Sequence, residues 1–181
     1  MKERKRGLAN IRTLTTAAML TALSVVIGIF CKNFLNFGNG LFRITFENFP
    51  IILSGIMFGP VVGAFVGAAS DVVSYFLSTQ SLAITPIVTI GAALIGAVSG
   101  VVSHYIVKKE GVWRIILSAL SAHAVGSMIV KSFGLYVYYG WAVLVRVPLY
   151  IVIATVEIIL MCFIFKNKAF SKLIYGKGGS K

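Results

Sequence analysis

The sequence predicts an all-α integral membrane protein: a compact bundle of six transmembrane helices whose N- and C-termini are both cytoplasmic. Three observations favour this fold class. First, 58% of the 181 residues are hydrophobic and only 12% are charged, whereas soluble domains average about a quarter charged residues. Second, apolar stretches of the roughly 20 residues that a membrane-spanning helix needs recur along the chain. Third, most Lys and Arg residues fall in segments that six passes would bring to one side of the membrane.

Polar residues, glycine and proline divide the chain into six predicted helices. An Asn- and Gly-rich loop, CKNFLNFGNGLF, follows the first helix. Gly59-Pro60 separates the second helix from the third, because proline disfavours helix in the residue before it. The loop STQSLAIT precedes the fourth helix, and Pro86 fits the first turn of that helix, where its missing N–H costs nothing. KKEGVW separates the fourth helix from the fifth, and Tyr139-Gly140 separates the fifth from the sixth.

These boundaries predict a single membrane domain over residues 1–181, whose second helix is marginal in length. The predicted helices cover about residues 12–30, 44–58, 61–77, 86–107, 115–138 and 141–165. The basic residues from Lys2 to Arg6 precede the first helix, but no small-residue cleavage site follows it. We therefore expect the first helix to be retained in the protein.

The net charge of +12 is explained by topology. Thirteen of the 17 Lys and Arg residues lie in the N-terminal tail, in the turn after the fourth helix or in the C-terminal tail. Six passes place these three segments on one side, and the positive-inside rule makes that side cytoplasmic. Trp113 and Trp141 then fall near the inner and the outer boundary, as in an aromatic belt. This distribution excludes nucleic acid as the expected partner.

A second set of ionisable residues is expected at one depth, in the outer part of the membrane or its outer loop. Its members are Lys32, Arg43, Glu47, Asp71, Lys131 and Arg146. Ionisable groups are costly in lipid and usually face a protein interior or a water-filled cavity, so the set predicts one outward-facing polar pocket. The alternative is a group of structural ion pairs, such as Arg43 with Glu47 four residues later. Four cations and two carboxylates leave a surplus of two positive charges, which suits an anionic ligand.

Glycine recurs every four residues from the turn before the third predicted helix into that helix, and again in the fourth predicted helix. The repeat consists of Gly59, Gly63 and Gly67, followed by Gly96 and Gly100. Small residues let helices approach closely in lipid, so we expect tight packing among the second, third and fourth helices. Ala18 and Ala22 form a similar pair, AMLTA, near the cytoplasmic end of the first helix. That pair could pack inside the chain or dock a partner subunit.

The residue pattern indicates neither an enzyme nor a bound metal or cofactor. Cys31 and Cys162 are far apart and form no CxxC pair. GKGGSK near the C-terminus does not fit the GxxxxGK[ST] pattern of phosphate-binding loops. His104 and His123 are too scattered for a metal site. Glu157, which lies deeper on the sixth predicted helix, is a candidate structural partner for His123.

Two segments carry a resemblance to a known family: LFRITFENFPIILSGIMFGPVVGAFVGAASDVVSYF and ITPIVTIGAALIGAVSGVV. They resemble the substrate-binding S-components of energy-coupling factor (ECF) vitamin transporters, and the folate-type branch is the most similar. KSFGLYVYYG and VRVPLY also resemble that branch, so the likeness covers about residues 12–165. STQSLAIT lacks the proline and glycine of folate-type members, which leaves an S-component for another vitamin as an alternative.

The resemblance implies a multi-pass protein of the cell membrane whose vitamin site opens to the outside and is roofed by the first loop. It also implies partners, namely a transmembrane coupling subunit and two ATPase subunits that hydrolyse the ATP. In the family, a small-residue motif on the first helix meets the coupling subunit, and Ala18 and Ala22 match that motif here.

With folate as the ligand, the expected pocket residues have distinct roles. Asp71 would accept hydrogen bonds from the pterin amino and ring N–H groups. Lys131, Arg43 and Arg146 would bind the carboxylates of the glutamate tail or acceptors of the pterin, in the same pocket as Glu47. Phe37, Tyr75 and Tyr138 are expected to stack on the rings, and Phe34 and Tyr136 are further candidates for the same role.

Two other function classes stay open at this stage. Asp71, Lys131 and Glu157 could form a relay in a small autonomous channel or proton-coupled carrier, because ionisable residues within membranes often do so. No inverted repeat is visible, however, and the polar residues cluster on one side. A membrane scaffold without a ligand is the third class.

Overall fold

The computed structural model describes residues 11–37, 42–77, 86–107, 111–141 and 146–166, most of them helical. The elements in chain order are α1 (Ile11–Phe34), β1 (Asn36–Phe37), β2 (Phe42–Arg43), α2 (Asn48–Phe58), α3 (Pro60–Leu77), α4 (Pro86–Val101), π1 (Val102–Ile106), α5 (Val112–Ala122), π2 (His123–Lys131), α6 (Ser132–Tyr139) and α7 (Arg146–Lys166). The π-helical segment π1 continues α4, and α5, π2 and α6 follow one another without a break. The described residues therefore form six helical rods.

Five of these rods are long and apolar enough to cross a membrane. The exception is α2, whose 11 residues rise only about 16 Å, roughly half the ~30 Å of a bilayer's hydrocarbon core. Most residues of α2 are buried, so it is a short core helix enclosed by its neighbours. The number of passes and the side on which the termini lie stay predictions.

The connection from α1 to α2 differs from the expected helix-loop-helix. Helix α1 continues to Phe34, past the expected end at Phe30. The backbone then forms a short antiparallel pairing, with Asn36 opposite Arg43, and the Ile44 N–H extends it by donating to the Leu35 carbonyl at 3.1 Å. Because this pairing holds the backbone extended, α2 begins at Asn48 and not near residue 44. The all-α expectation therefore needs this one small correction.

Glycines bring α3 against α4, as the four-residue repeat predicts. A Cβ on Gly63 would overlap the carbonyl of Gly96, and a Cβ on Gly96 would overlap the carbonyl of Gly63. One turn further along, a Cβ on Gly67 would overlap the carbonyl of Ala92. The two backbones are thus in direct contact, which is a main source of helix association in lipid. The expectation of internal packing through these glycines is confirmed.

The turn between α2 and α3 depends on Gly59, whose φ of 95° is rarely adopted by residues with a side chain. Pro60 then starts α3, where its fixed φ suits the first helical turn. Gly100 near the end of α4 packs against this turn, since a Cβ there would overlap the Pro60 nitrogen. The two ends of α3 are therefore at opposite ends of the bundle, with Gly59 at one and Asp71 toward the other.

Helix α4 lies at the centre, in contact with α2, α3, α5 and π2, while α1 packs on α2 and α3, and α7 packs on α5 and π2. The core between them is aliphatic, and its most completely buried large side chains include Ile51, Ile52, Ile56, Ile95, Ile115 and Met161. Large apolar side chains also cover the outside of the bundle, as on Phe65 and Phe163. An apolar exterior of this kind suits contact with lipid.

Candidate functional site

A polar crevice lies between α1, α2, α3 and α4. It is narrow, and its roughly 180 Å³ of empty volume includes space that is open to the surroundings. Its polar lining residues are Ser24, Glu47, Ser70, Asp71 and Ser74, and its apolar ones are Ile51 and Ala92. Two carboxylates and three hydroxyl groups thus converge in a chain with only five acidic residues. Such convergence of polar groups in a concave site is typical of ligand pockets.

Asp71 stands on α3 and is oriented from α4. Thr89 Oγ1 donates a hydrogen bond of 2.6 Å to Asp71 Oδ2, and this bond fixes the direction of the carboxylate. Within the part of the chain that the structure describes, no Lys or Arg lies within ion-pairing distance of Asp71. A half-buried carboxylate in this setting is a strong hydrogen-bond acceptor.

Lys131, at the end of π2, reaches the start of α2. Its Nζ lies 3.7 Å from Glu47 Oε1 and donates to Asn48 Oδ1 at 3.2 Å. Lys131 is buried, and a buried cation is stable only when it is paired and hydrogen-bonded. An ammonium group has three N–H donors, so these two contacts leave a third donor direction.

Two glycines make room for this ion pair. A Cβ on Gly28 of α1 would lie 2.8 Å from Glu47 Oε2, and a Cβ on Gly91 of α4 would lie 2.7 Å from the Cγ atom of Lys131. In addition, Ser24 Oγ donates to the Glu47 carbonyl at 2.7 Å, which ties the start of α2 to α1. Helices α1 and α4 therefore each carry a glycine, which has no side chain, at the point where one of the two charged side chains packs against them.

The comparison with known proteins identifies the family. The chain matches the family described as ECF transporter, substrate-specific component, over residues 12–176. The chain belongs to this family. Membership makes it a membrane transport component and not an enzyme, and the resemblance seen in the sequence is confirmed.

Individual members of the family show further similarity. The chain is 35% identical over 97 residues to the folate transporter FolT of Clostridium novyi (strain NT), in an alignment that covers 54% of this chain and 55% of the relative. The chain thus spans about half the length of the curated relative it matches. It is also similar to a solved structure, the crystal structure of FolT bound with folic acid, with a TM-score of 0.68 and 24% identity over 89% of this chain and 98% of that chain. The two share a fold.

Three of the eight expected ligand residues of this substrate-specific component meet in or beside the crevice. Asp71 and Glu47 line it, and Lys131 joins them through Glu47. Tyr75 lies one helical turn beyond Asp71 and is half-buried, with its ring 5.7 Å from that of Phe76 in an edge-on contact. The remaining four lie on β1, β2, α6 and α7, and their side chains are outside the described part of the structure: Phe37, Arg43, Tyr138 and Arg146.

The sequence reasoning missed the uncharged polar residues of the site. Ser70, Thr89 and Asn48 contact the crevice or its charged groups, yet none stands out in a helical sequence, because hydroxyl groups in helices usually bond to their own backbone. One usable signal was the spacing of Ser70 and Ser74, which puts both hydroxyls one turn apart on one face of α3.

A second polar cluster lies deeper in the bundle, between π2 and α7. His123 Nε2 is 2.7 Å from Glu157 Oε2, and both side chains are completely buried. Ser127 Oγ is 3.5 Å from the other ring nitrogen of His123. The expected pairing of His123 with Glu157 is confirmed. The described residues contain no group of three or more ligands that would hold a metal ion.

Proposed function

We propose that this protein is the folate-binding S-component of an ATP-dependent ECF vitamin transporter in the cell membrane. Family membership supports the S-component role. The name of the relative from Clostridium novyi and the folic acid bound by the FolT of similar fold support folate as the ligand. The distribution of Lys and Arg along the chain supports cytoplasmic termini and a pocket that opens to the outside.

The observation that carries the ligand proposal is a carboxylate in the crevice whose described partner is a threonine and not a cation. The amino group and the neighbouring ring N–H of a pterin are two parallel donors, and a carboxylate has two acceptor oxygens. Asp71 would accept both, in charge-assisted hydrogen bonds. Thr89 would hold the carboxylate in the required orientation, so that little side-chain freedom is lost on binding.

The glutamate tail of folate would be bound by the cations around the crevice. Lys131 has a donor direction beyond its contacts with Glu47 and Asn48. Arg43 and Arg146 stand on β2 and at the first residue of α7, and each can form two parallel hydrogen bonds with a carboxylate. Phe37, Tyr75 and Tyr138 would stack on the ligand rings.

The outer face of α1 suits a partner subunit. Ala18 and Ala22 are exposed one turn apart, on a face that the described residues do not cover. Small residues at this spacing permit the close approach of another helix. We assign this face to the transmembrane coupling subunit, which is joined to the two ATPase subunits that would drive release of the vitamin inside.

Reconstitution into liposomes tests the proposal. Liposomes holding the protein alone are expected to bind radiolabelled folic acid without accumulating it, and liposomes that also hold the coupling and ATPase subunits accumulate it when ATP is inside. An Ala18→Trp/Ala22→Trp variant should bind folic acid as the wild type does but lose accumulation, because the bulky rings keep the helices apart. A matched Leu14→Trp variant, altered on the same exposed face one turn earlier, reports how far the docking face extends.

Two results would contradict the proposal. Failure to bind radiolabelled folic acid, together with tight binding of radiolabelled riboflavin, thiamin or pantothenate, would assign another vitamin. ATP-independent flux through the protein alone would instead favour an autonomous carrier, for which the buried polar residues of π2, His123, Ser127 and Lys131, would be the first candidates.

A further inference from the structure

The hydroxyl group of Ser70 has no hydrogen-bond partner among the residues that the structure describes, although its side chain is 2% exposed. A buried hydroxyl without a partner destabilises a protein, since it has lost its water and gained nothing. Ser70 also lines the crevice, next to Asp71 in the chain and one turn before Ser74. The unused donor therefore belongs to a residue of the crevice lining.

Several other hydroxyls in the helices of this protein avoid that cost. Thr21 Oγ1 donates to the Ala17 carbonyl at 2.9 Å, and the buried Ser54 and Ser99 donate to carbonyls three residues back. Such bonds to the preceding turn are the ordinary solution for serine and threonine in a helix. Ser70 has a preceding turn of α3 behind it but makes no such bond.

We infer that Ser70 is a ligand-binding residue whose hydroxyl group donates to an acceptor atom of the ligand's heterocycle. This inference rests on the proposed function and names a further contact of the same site. A 2-amino-4-oxo pyrimidine ring, as in a pterin, places its oxo oxygen directly beside the ring N–H and amino donors. A carboxylate with a hydroxyl beside it presents the complementary order, two acceptors and then one donor.

A binding role and a packing role for Ser70 predict different effects of its removal on ligand affinity and on the stability of the ligand-free protein. If the Ser70 hydroxyl is held ready for the ligand, its removal weakens binding but does not destabilise the ligand-free protein, which loses only an unpartnered polar group. Ser118 provides a matched control. It is also a completely buried serine whose hydroxyl has no partner among the described residues, but it stands on α5 and does not line the crevice.

The experiment compares the wild type, Ser70→Ala and Ser118→Ala in the same detergent. The dissociation constant for folic acid is measured by titration calorimetry, and Tm is measured without ligand. We expect Ser70→Ala to bind folic acid about 5- to 20-fold more weakly, with a ligand-free Tm equal to or above that of the wild type. Ser118→Ala should match the wild type in affinity within about twofold and also keep or raise Tm.

Each other result decides against the inference. Unchanged affinity in Ser70→Ala would overturn it while leaving folate as the ligand. A fall in affinity together with a lower ligand-free Tm would assign Ser70 to packing. Failure of the wild type to bind folic acid would overturn the proposed function, and this inference with it.

Discussion

The Asp71→Asn variant is expected to bind folic acid about 100-fold more weakly than the wild type, because each charge-assisted hydrogen bond contributes about 1.5–3 kcal/mol and two are affected. Asparagine keeps the size of the side chain but offers one acceptor oxygen in place of two. Its amide N–H₂ group would face a donor of the pterin. Equilibrium binding of radiolabelled folic acid measures the change.

A graded control comes from Thr89→Val, which leaves the carboxylate in place and removes the bond that orients it. We expect this variant to lose about three- to tenfold in affinity, because a carboxylate that Thr89 no longer orients loses side-chain freedom on binding, at a cost of about 0.5–1.5 kcal/mol. The ligand-free Tm of Asp71→Asn should not fall, since no described cation depends on Asp71. An affinity for Asp71→Asn within threefold of the wild type would contradict the assignment of this carboxylate to the pterin.

The Glu157→Leu variant is expected to lower the free energy of unfolding by about 2 kcal/mol. Breaking a buried ion pair in a soluble protein costs about 3–5 kcal/mol, but interactions between helices in membranes average less, because the unfolded chain in the bilayer also finds partners. The loss arises because His123 keeps a completely buried ring nitrogen whose partner at 2.7 Å is gone. Unfolding of the purified protein by a denaturing detergent measures the effect.

The matched double variant His123→Leu/Glu157→Leu should recover most of that stability, since it removes both polar groups together. The two single variants and the double variant form a cycle that isolates the energy of the pair. Folic acid affinity should change by less than about threefold in the double variant, because neither side chain lines the crevice. A double variant less stable than either single variant would contradict a paired structural role.

The charged part of the site could be predicted from the sequence because charge is conspicuous in an apolar chain. Asp71, Glu47 and Lys131 each interrupt a segment that is otherwise suited to lipid, and the cost of an ionisable group there indicates a shared polar environment. The repeat of Gly63, Gly67 and Gly96 likewise predicts close helix contact from spacing alone, and the structure bears it out.

Other features could not be predicted, because they depend on contacts between distant parts of the chain. Lys131 reaches Glu47 past Gly91 of α4, and these two charged residues are too far apart in the chain for a local pattern to indicate their contact. Thr89 becomes important through the packing of α4 on α3. The short pairing of β1 with β2 delays the start of α2, and no local pattern in the loop indicates it.

An experimental structure of the protein with folic acid would show whether the crevice receives the pterin. We expect the pterin amino and ring N–H groups within hydrogen-bond distance, about 2.6–3.2 Å, of the two Asp71 carboxylate oxygens. We also expect a glutamate-tail carboxylate on the side of Lys131. Folic acid bound with its pterin away from Asp71, or outside this crevice altogether, would contradict the proposed binding mode.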